Sequence, residues 1–383
     1  MLPHFNPQIE DVTVAEIDLA AFHFNVKQLK KKIVKSLFLA VIKTNAYGHG
    51  IVPIAKEAIK AGADRLGVTS VNEAVTLRKN GVNHPIQILS AILPSHVKAI
   101  VHYRLISSIS SEHIAKALSQ EGAKQNKTVK VHLKLDTGLH RFGMVPDYIM
   151  KLCENCYSLP FLNWEGIYTH FSCADEGDWV TTEKQYRLFL DTVNKLKQNG
   201  YFFPLQHVGA STVAIERSDM HKNMVRPGIA LFGYQPDERQ KKLIDLKPVM
   251  TLKTKIVQLH QLPASTKIGY GGTYETKQDE KIAIIPIGHG DGYKRGLSNK
   301  GYVLVRGKYA KVVGTISLDQ TFINVTNIPN VQEGDEVILI GTQGDNTISA
   351  RDIAKWIQSN VDEILASIMQ RINRIYIYRE KEK

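Results

Sequence analysis

A lysine closes the apolar run Leu37-Phe38-Leu39-Ala40-Val41-Ile42, at the point where the chain breaks into Thr44-Asn45-Ala46-Tyr47-Gly48-His49-Gly50. An amine at the end of a buried strand is costly to desolvate unless it is used, and a neutral amine is a good nucleophile toward aldehydes. Beyond the glycine-containing loop, Ile51, Ile54, Ala55, Ala58 and Ile59 recur at helical spacing. The local plan around Lys43 is therefore strand, lysine, polar loop, helix. Other residues suited to chemistry also fall where apolar runs end. Lys134, Asp136 and Arg141 lie at or after the end of Val129–Leu135, His170 closes Glu165–His170, His207 and Ser211 lie at or after the end of Leu205–Val208, and Arg226 and Gly228 lie in Met224–Phe232. Taken singly each has a plain reading: His170 as a hydrogen-bonded core histidine, Asp136-Thr137-Gly138 as a turn, Ser211 as a helix cap. Their joint placement at strand ends is what favours a site.

The elements that must position these residues divide the chain in two. Up to about residue 235, short apolar runs alternate with helical patterns such as Val71–Lys79, Glu112–Gln120 and Glu183–Gln198. Ser70 with Glu73 three residues on has the form of a capping box. Eight strands are expected: Leu37–Ile42, Leu66–Thr69, Ile86–Leu89, Leu105–Ile109, Val129–Leu135, Glu165–His170, Leu205–Val208 and Met224–Phe232. Eight strand–helix units imply an α/β fold, an N-terminal (β/α)8 TIM-like barrel, whose active sites gather at the carboxyl ends of the strands. A doubly wound open sheet is the competing architecture but usually has fewer strands. After about Lys247 the runs become β-rich: Met250–Leu262, Lys281–Ile287, Tyr302–Ile316, Thr321–Val325, Glu336–Ile340 and a last strand at Arg374–Tyr378. One helix interrupts them, starting near Ser349 as N-cap, with Asp352 in its first turn. The expected domains are a barrel over 11–245 and a mostly β C-terminal domain over 246–383, with 1–10 a candidate addition to the latter. Thr13–Ile17 is a candidate strand for that β-rich half.

Composition excludes more than it selects. The 383 residues are 43% apolar, as in an ordinary protein with a full core, and no run is long enough to span a membrane. Met1–Glu10 lacks a basic stretch followed by an apolar one, so a cytoplasmic location is expected. Cys153 and Cys156 form a Cys-x-x-Cys pair without a second pair, and Cys173 stands alone, so reduced thiols and no metal site are expected. The 49 Lys and Arg against 37 Asp and Glu leave a charge of +12. The basic clusters are not interleaved with aromatic residues, so no nucleic-acid partner is expected; a positive surface could instead draw in an anionic cofactor.

The string Ala40-Val41-Ile42-Lys43-Thr44-Asn45-Ala46-Tyr47-Gly48-His49-Gly50 closely resembles the pyridoxal-phosphate (PLP) lysine motif of alanine racemases. The resemblance continues in order along the chain. It includes Lys134-Leu135-Asp136-Thr137-Gly138-Leu139-His140-Arg141-Phe142-Gly143, Glu165–Phe171, Met224–Ile229, Gly269–Tyr274, Gly288–Tyr293 and Ser317–Gln320. It implies an amino-acid racemase of fold type III that interconverts L- and D-alanine as a homodimer, its active site shared between subunits. Lys43 would form the Schiff base with PLP and act as one acid/base; Tyr270 from the partner subunit would be the other. Tyr47, Ser211 and the backbone at Gly228 and Ile229 would hold the phosphate. His170 would pack at the ring, Arg226 would face the pyridine nitrogen with His207 behind it, and Arg141 and the partner subunit's Leu318 would bind the substrate carboxylate. Lys134 occupies a position carbamylated in some members.

The sequence departs from the family's common choices at several places. Gln370 replaces a tyrosine that usually touches the phosphate, and would be the cofactor-binding residue at that position. Ala210 stands where asparagine is usual, His289 replaces a tyrosine, Thr315 an arginine, and Ser317 and Leu318 a cysteine and a methionine. The proposed catalytic pair is untouched, so the reaction class survives while substrate range is open: a serine or broad-specificity racemase is the runner-up. A related-fold decarboxylase would be expected to place an acid, not Arg226, at the ring nitrogen, and a single-barrel PLP carrier would lack the β-rich half.

Overall fold

The computed structural model describes residues 11–379, and by contacts the chain forms two compact units. The first strand, β1 (Val14–Asp18), is followed by eight short parallel strands in the first unit. These are β2 (Leu37–Val41), β3 (Arg65–Val68), β4 (Ile86–Ile88), β5 (Ser107–Ile109), β6 (Val129–Lys134), β7 (Leu162–Tyr168), β8 (Leu205–His207) and β9 (Met224–Val225). They form two four-stranded arcs, β4-β3-β2-β9 and β5-β6-β7-β8. The arcs meet on both sides. Ile88 N donates to Ile106 O (2.8 Å) and Ile106 N to Ile86 O (2.9 Å); opposite, Asn223 N donates to Gln206 O and Arg226 N to Gly209 O, both at 3.0 Å. The result is the expected barrel. Its strands are buried on both faces, which is why they read as continuous apolar runs rather than alternations.

Local chemistry starts the surrounding helices. Ser70 Oγ accepts from Asn72 N (3.2 Å) while Glu73 Oε2 accepts from Ser70 N (3.4 Å), the capping box read from the sequence. Ser111 and Asp178 cap Glu112–Gln125 and Trp179–Gln198 by accepting from Ile114 N and Thr181 N. Inside the barrel Gly67 is required by packing: a Cβ there would lie 2.4 Å from Leu39 Cδ2 and 2.8 Å from Leu89 Cδ1. The expected strand Met224–Phe232 is shorter than its pattern suggested. Pro227 offers no N–H to a ladder, and beyond it the chain turns into a 3-10 helix at Ile229–Phe232.

The second unit is built on one large sheet. Its strands run in the spatial order Gln258–Leu262, Glu280–Ile285, Thr321–Asn324, Lys308–Val313, Tyr302–Val305, Glu336–Gln343, Met250–Lys255, β1 and Asn373–Ile377. Antiparallel pairing dominates; only β1 with Asn373–Ile377 is parallel. β1 therefore belongs here and not to the barrel, since Val14–Ile17 is in register with Lys253–Met250. By contacts the barrel unit runs from Leu19 to Pro248, and the second unit takes β1 together with the stretch from Val249 on. The expected association of 1–10 lies outside the described residues, as does the chain after 379. Two long runs of the sequence prove to be pairs of strands: 250–262 breaks at 256–257, and 302–316 is a hairpin turning at Arg306-Gly307. Beside the helix Ala350–Ile357, capped by Ser349, lies a second, Val361–Ala366, that the pattern did not reveal.

Candidate active site

Lys43 follows β2 at the carboxyl end of the barrel. The next four residues, Thr44, Asn45, Ala46 and Tyr47, have φ of 56°, 52°, 55° and 51°, a left-handed turn made without glycine. Such a conformation costs about 1–2 kcal/mol per residue and persists only where its surroundings impose it. Here they do. Asn45 N donates to Glu73 Oε1 (2.8 Å), so the capping-box glutamate also grips the turn, and Asn45 Oδ1 accepts from Ile51 N (2.9 Å). Gly48 N donates to Thr44 O (3.0 Å) and Gly50 N to Asn45 O (2.9 Å). Ala46 and Tyr47 are buried, and the Tyr47 and His49 rings pack on Phe232 at 4.9 and 4.4 Å. Lys43 Nζ lies 5.7 Å from the centre of the Tyr47 ring.

Tyr47, Ser211 and Gly228 converge, and Ile229 follows Gly228 at the start of the 3-10 helix. Ser211 Oγ accepts from Gly228 N at 2.9 Å. A Cβ on Gly228 would stand 2.5 Å from the Tyr47 hydroxyl, so only glycine lets the phenol reach this backbone.

Arg226 enters the barrel from the end of β9 and is 4% exposed. It donates to Thr169 O (2.8 Å) and Val208 O (3.1 Å), and approaches His207 Nδ1 (2.9 Å) and His170 Nδ1 (3.2 Å). Among the described residues no carboxylate pairs with it. Burial lowers it to about 10, which leaves it charged at neutral pH. Burial first, and then the Arg226 charge, hold His170 and His207 well below the usual histidine range, so both are neutral there. Lys134 is 2% exposed, donates to Leu135 O at 2.9 Å, and lies over the rings of Tyr168 and Phe142. Burial and the Arg226 charge bring it down to about 7, with Asp136 opposing and Arg141 adding to the fall. Arg141 is exposed and shares with His170 a cleft of about 130 Å³ walled by Leu139, Val208, Ala210 and Thr212.

Arg65, Ser108 and His132 of this cluster escaped the sequence reading, and Glu165 and Tyr168, which lie in one of the motifs, were given no role there. Tyr168 stacks on His207 (4.6 Å, 4° between planes) and its hydroxyl meets Ser108 Oγ at 2.6 Å. His132 was within reach of pattern reasoning, because it stands two residues before Lys134 on the same face of β6.

Tyr270, Leu318 and Gln370 lie on the second unit. Tyr270 opens a tight turn between Lys267–Ile268 and Tyr274–Glu275 and is 73% exposed. Leu318 is 60% exposed on a loop whose Ser317 O and Leu318 O accept from His289 N and Gly290 N. A Cβ on Gly288 would meet Ser317 O at 2.3 Å, so this loop pair depends on glycine. Gln370 is exposed, between Met369, whose N donates to Asp291 O (2.9 Å), and Arg371, ion-paired to Asp291 (2.5 Å).

Family models for the alanine racemase N-terminal and C-terminal domains match residues 17–236 and 249–376. The chain belongs to the alanine racemase family. The alanine racemase of Halothermothrix orenii is 43% identical over 375 residues, covering 97% of this chain and 98% of its relative. The crystal structure of the Bacillus anthracis alanine racemase with bound L-Ala-P superposes with a TM-score of 0.92 at 33% identity, covering 98% and 97% of the two chains. The histidine racemase of Leuconostoc mesenteroides shares the fold at a TM-score of 0.85 and 28% identity, covering 98% and 100%. The alanine racemase fold thus carries more than one substrate specificity among its solved members.

Proposed function

We propose that this protein is a PLP-dependent racemase that interconverts L- and D-alanine with Lys43 and Tyr270 as its two bases. The observation that carries the reading is the convergence, at one barrel mouth, of Lys43, a hydroxyl-and-amide cradle and a buried guanidinium with no acidic partner among the described residues. These residues fit PLP. The Tyr47 and Ser211 hydroxyls with the Gly228 and Ile229 amides suit a phosphate, and Arg226 can donate to a neutral ring nitrogen but cannot protonate it. When bound, the cofactor supplies an aldehyde for the Lys43 amine and a sink for the electrons left when an amino acid loses its Cα proton.

The chain's own residues do the rest. The Lys43 amine removes or returns the Cα proton on one face. The phenol of Tyr270 of the partner subunit does so on the other, because one base held in one place serves only one face well. The exposure of Tyr270 and Leu318 supports a homodimer in which a second copy covers them. Arg141, with the partner subunit's Leu318 backbone, holds the substrate carboxylate, and His170 packs on the ring. Keeping the ring nitrogen unprotonated weakens the sink and so disfavours side reactions such as transamination. A decarboxylase reading lacks the acid it would need beside that nitrogen. Lys134, brought down to about 7 by burial and the Arg226 charge and so partly neutral there, is suited to adding CO2 with loss of a proton, which would place an anion beside Arg141.

Alanine is favoured by the family, while the open cleft at Ala210 and the changes at His289, Thr315 and Gln370 favour a test of wider range. Purified protein should equilibrate either enantiomer of alanine and exchange its Cα proton with solvent. Parallel rates on serine, lysine and histidine would rank the substrates. No exchange on any of them would end this reading. Gln370→Tyr is expected to tighten PLP binding by restoring a phenol toward the phosphate; an equal or weaker dissociation constant would refute that role for position 370.

A further inference from the structure

Behind Arg226 a line of buried side chains crosses the barrel. Arg226 NH1 lies 2.9 Å from His207 Nδ1, His207 Nε2 lies 2.8 Å from His132 Nδ1, and His132 Nε2 lies 3.1 Å from Glu165 Oε2. Glu165 is held in turn by Arg65 (2.5 Å) and Lys130 (2.8 Å). Both histidines are completely buried. The seat of His132 requires Gly166, where a Cβ would come within 2.6 Å of the imidazole. The ends of this line allow only one arrangement of protons. A guanidinium can only donate and a carboxylate can only accept. His207 must therefore accept at Nδ1 and donate from Nε2, and His132 must do the same toward Glu165.

We propose that Glu165 is a positioning residue for the reaction, fixing through the tautomers of His132 and His207 the acceptor that aligns Arg226. The idea rests on the reading that Arg226 faces the cofactor's ring nitrogen. Without an acceptor at position 165, His132 is free to carry its proton on Nδ1. It would then donate to His207 Nε2, and His207 would turn an N–H toward the guanidinium, donor against donor. Arg226 would lose one of the contacts that set its plane, and its alignment with the ring would loosen. Burial keeps both imidazoles from taking a second proton, with the Arg226 charge adding to that effect. Burial pushes the Glu165 carboxyl up, but hydrogen bonds from His132, Arg65 and Lys130 outweigh it and keep it ionised.

The test uses the PLP-loaded enzyme labelled with 15N-histidine. Proton–nitrogen correlation spectra at neutral pH should find His132 and His207 neutral and protonated on Nε2. A wild-type spectrum with His207 protonated on Nδ1, or on both nitrogens, overturns the proposal without any variant. Glu165→Met removes the acceptor; Glu165→Gln keeps an accepting oxygen but loses the charge, as Glu165→Met does too. Both variants leave Arg65 and Lys130 without their carboxylate, so the contrast between them isolates the hydrogen bond. Glu165→Met should mix the His207 tautomers, shift the absorption of bound PLP, and lower kcat by about tenfold to a hundredfold with little change in KM. That range is the one typical when a partner that orients a metal-bound histidine is removed. Glu165→Gln should restore the tautomers and most of the activity. Equal losses in both variants with unmixed tautomers would overturn the proposal. Absence of the near-visible absorption of lysine-bound pyridoxal in the wild type would instead sink the cofactor reading.

Discussion

After Lys43 the backbone holds four consecutive non-glycine residues at positive φ, whereas around Tyr270 every positive-φ position, 269, 271 and 272, is a glycine. The first turn is buried and held by Glu73, by Asn45 and by the rings packed on Phe232. The second stands 73% exposed at its tyrosine. Strain is tolerated where packing over-determines the backbone, and is relieved by glycine where nothing in the same unit covers it. The contrast also suits the proposed roles. Lys43 must be held to one geometry inside its own barrel, while Tyr270 must present itself to another surface.

Five substitutions would break or sharpen this contrast. Lys43→Ala is expected to abolish the near-visible absorption of lysine-bound PLP and to lower racemisation by about a thousandfold or more; a retained band would remove Lys43 from the scheme. Tyr270→Phe should cost between about a hundredfold and ten-thousandfold in one direction of proton transfer, with PLP affinity unchanged. Full activity in both directions would leave the exposed turn without a catalytic task.

Lys134 gives the buried region a pH signature. In the unfolded chain this lysine keeps its proton up to its ordinary value of 10.5, but in the fold it gives it up near 7. Between those values the unfolded state binds more protons, so stability should rise with pH through this window, by about 1.4 kcal/mol per unit from this group. Below 7 the group contributes no slope. In CO2-free buffer, unfolding free energies of the wild type and Lys134→Met should diverge in slope between pH 7 and 10. Parallel curves would show that the amine is not held neutral.

The smallest effects compare the two turns directly. Thr44 is exposed and β-branched at φ 56°, so Thr44→Gly should stabilise the fold by about 0.5–1 kcal/mol, the relief of a left-handed residue less the added chain entropy. Gly271→Ala meets no close atom but keeps φ at 74°, and should destabilise by about 1 kcal/mol. Denaturant titration reads both; a destabilised Thr44→Gly would mean that the threonine side chain supports the turn.

Much of this was legible beforehand. Each of the eight barrel strands lies where an apolar run had been read, though the ends shift and the last run was mostly not strand. Ser70 and Ser349 cap the helices that their spacing announced. These features depend on residues within a few positions of one another. The left-handed turn was not legible, because nothing in Thr44-Asn45-Ala46-Tyr47 favours positive φ at all four residues. Part of what holds it, the carboxylate of Glu73, lies 28 residues away.

What the amino-acid order determined by itself was therefore local: strand and helix periods, caps, and a lysine at the end of a buried run. Only the closed barrel could bring His132 to His207, 75 residues on, or set Glu165 at the far end of a line that begins at Arg226. The run Thr13–Ile17 pointed to the β-rich half, but only sheet register could give its neighbours there, Met250–Lys255 on one side and Asn373–Ile377 on the other. A hydrogen-bond partner is chosen by distance in space, and for residues this far apart in the chain that distance exists only once the strands have paired.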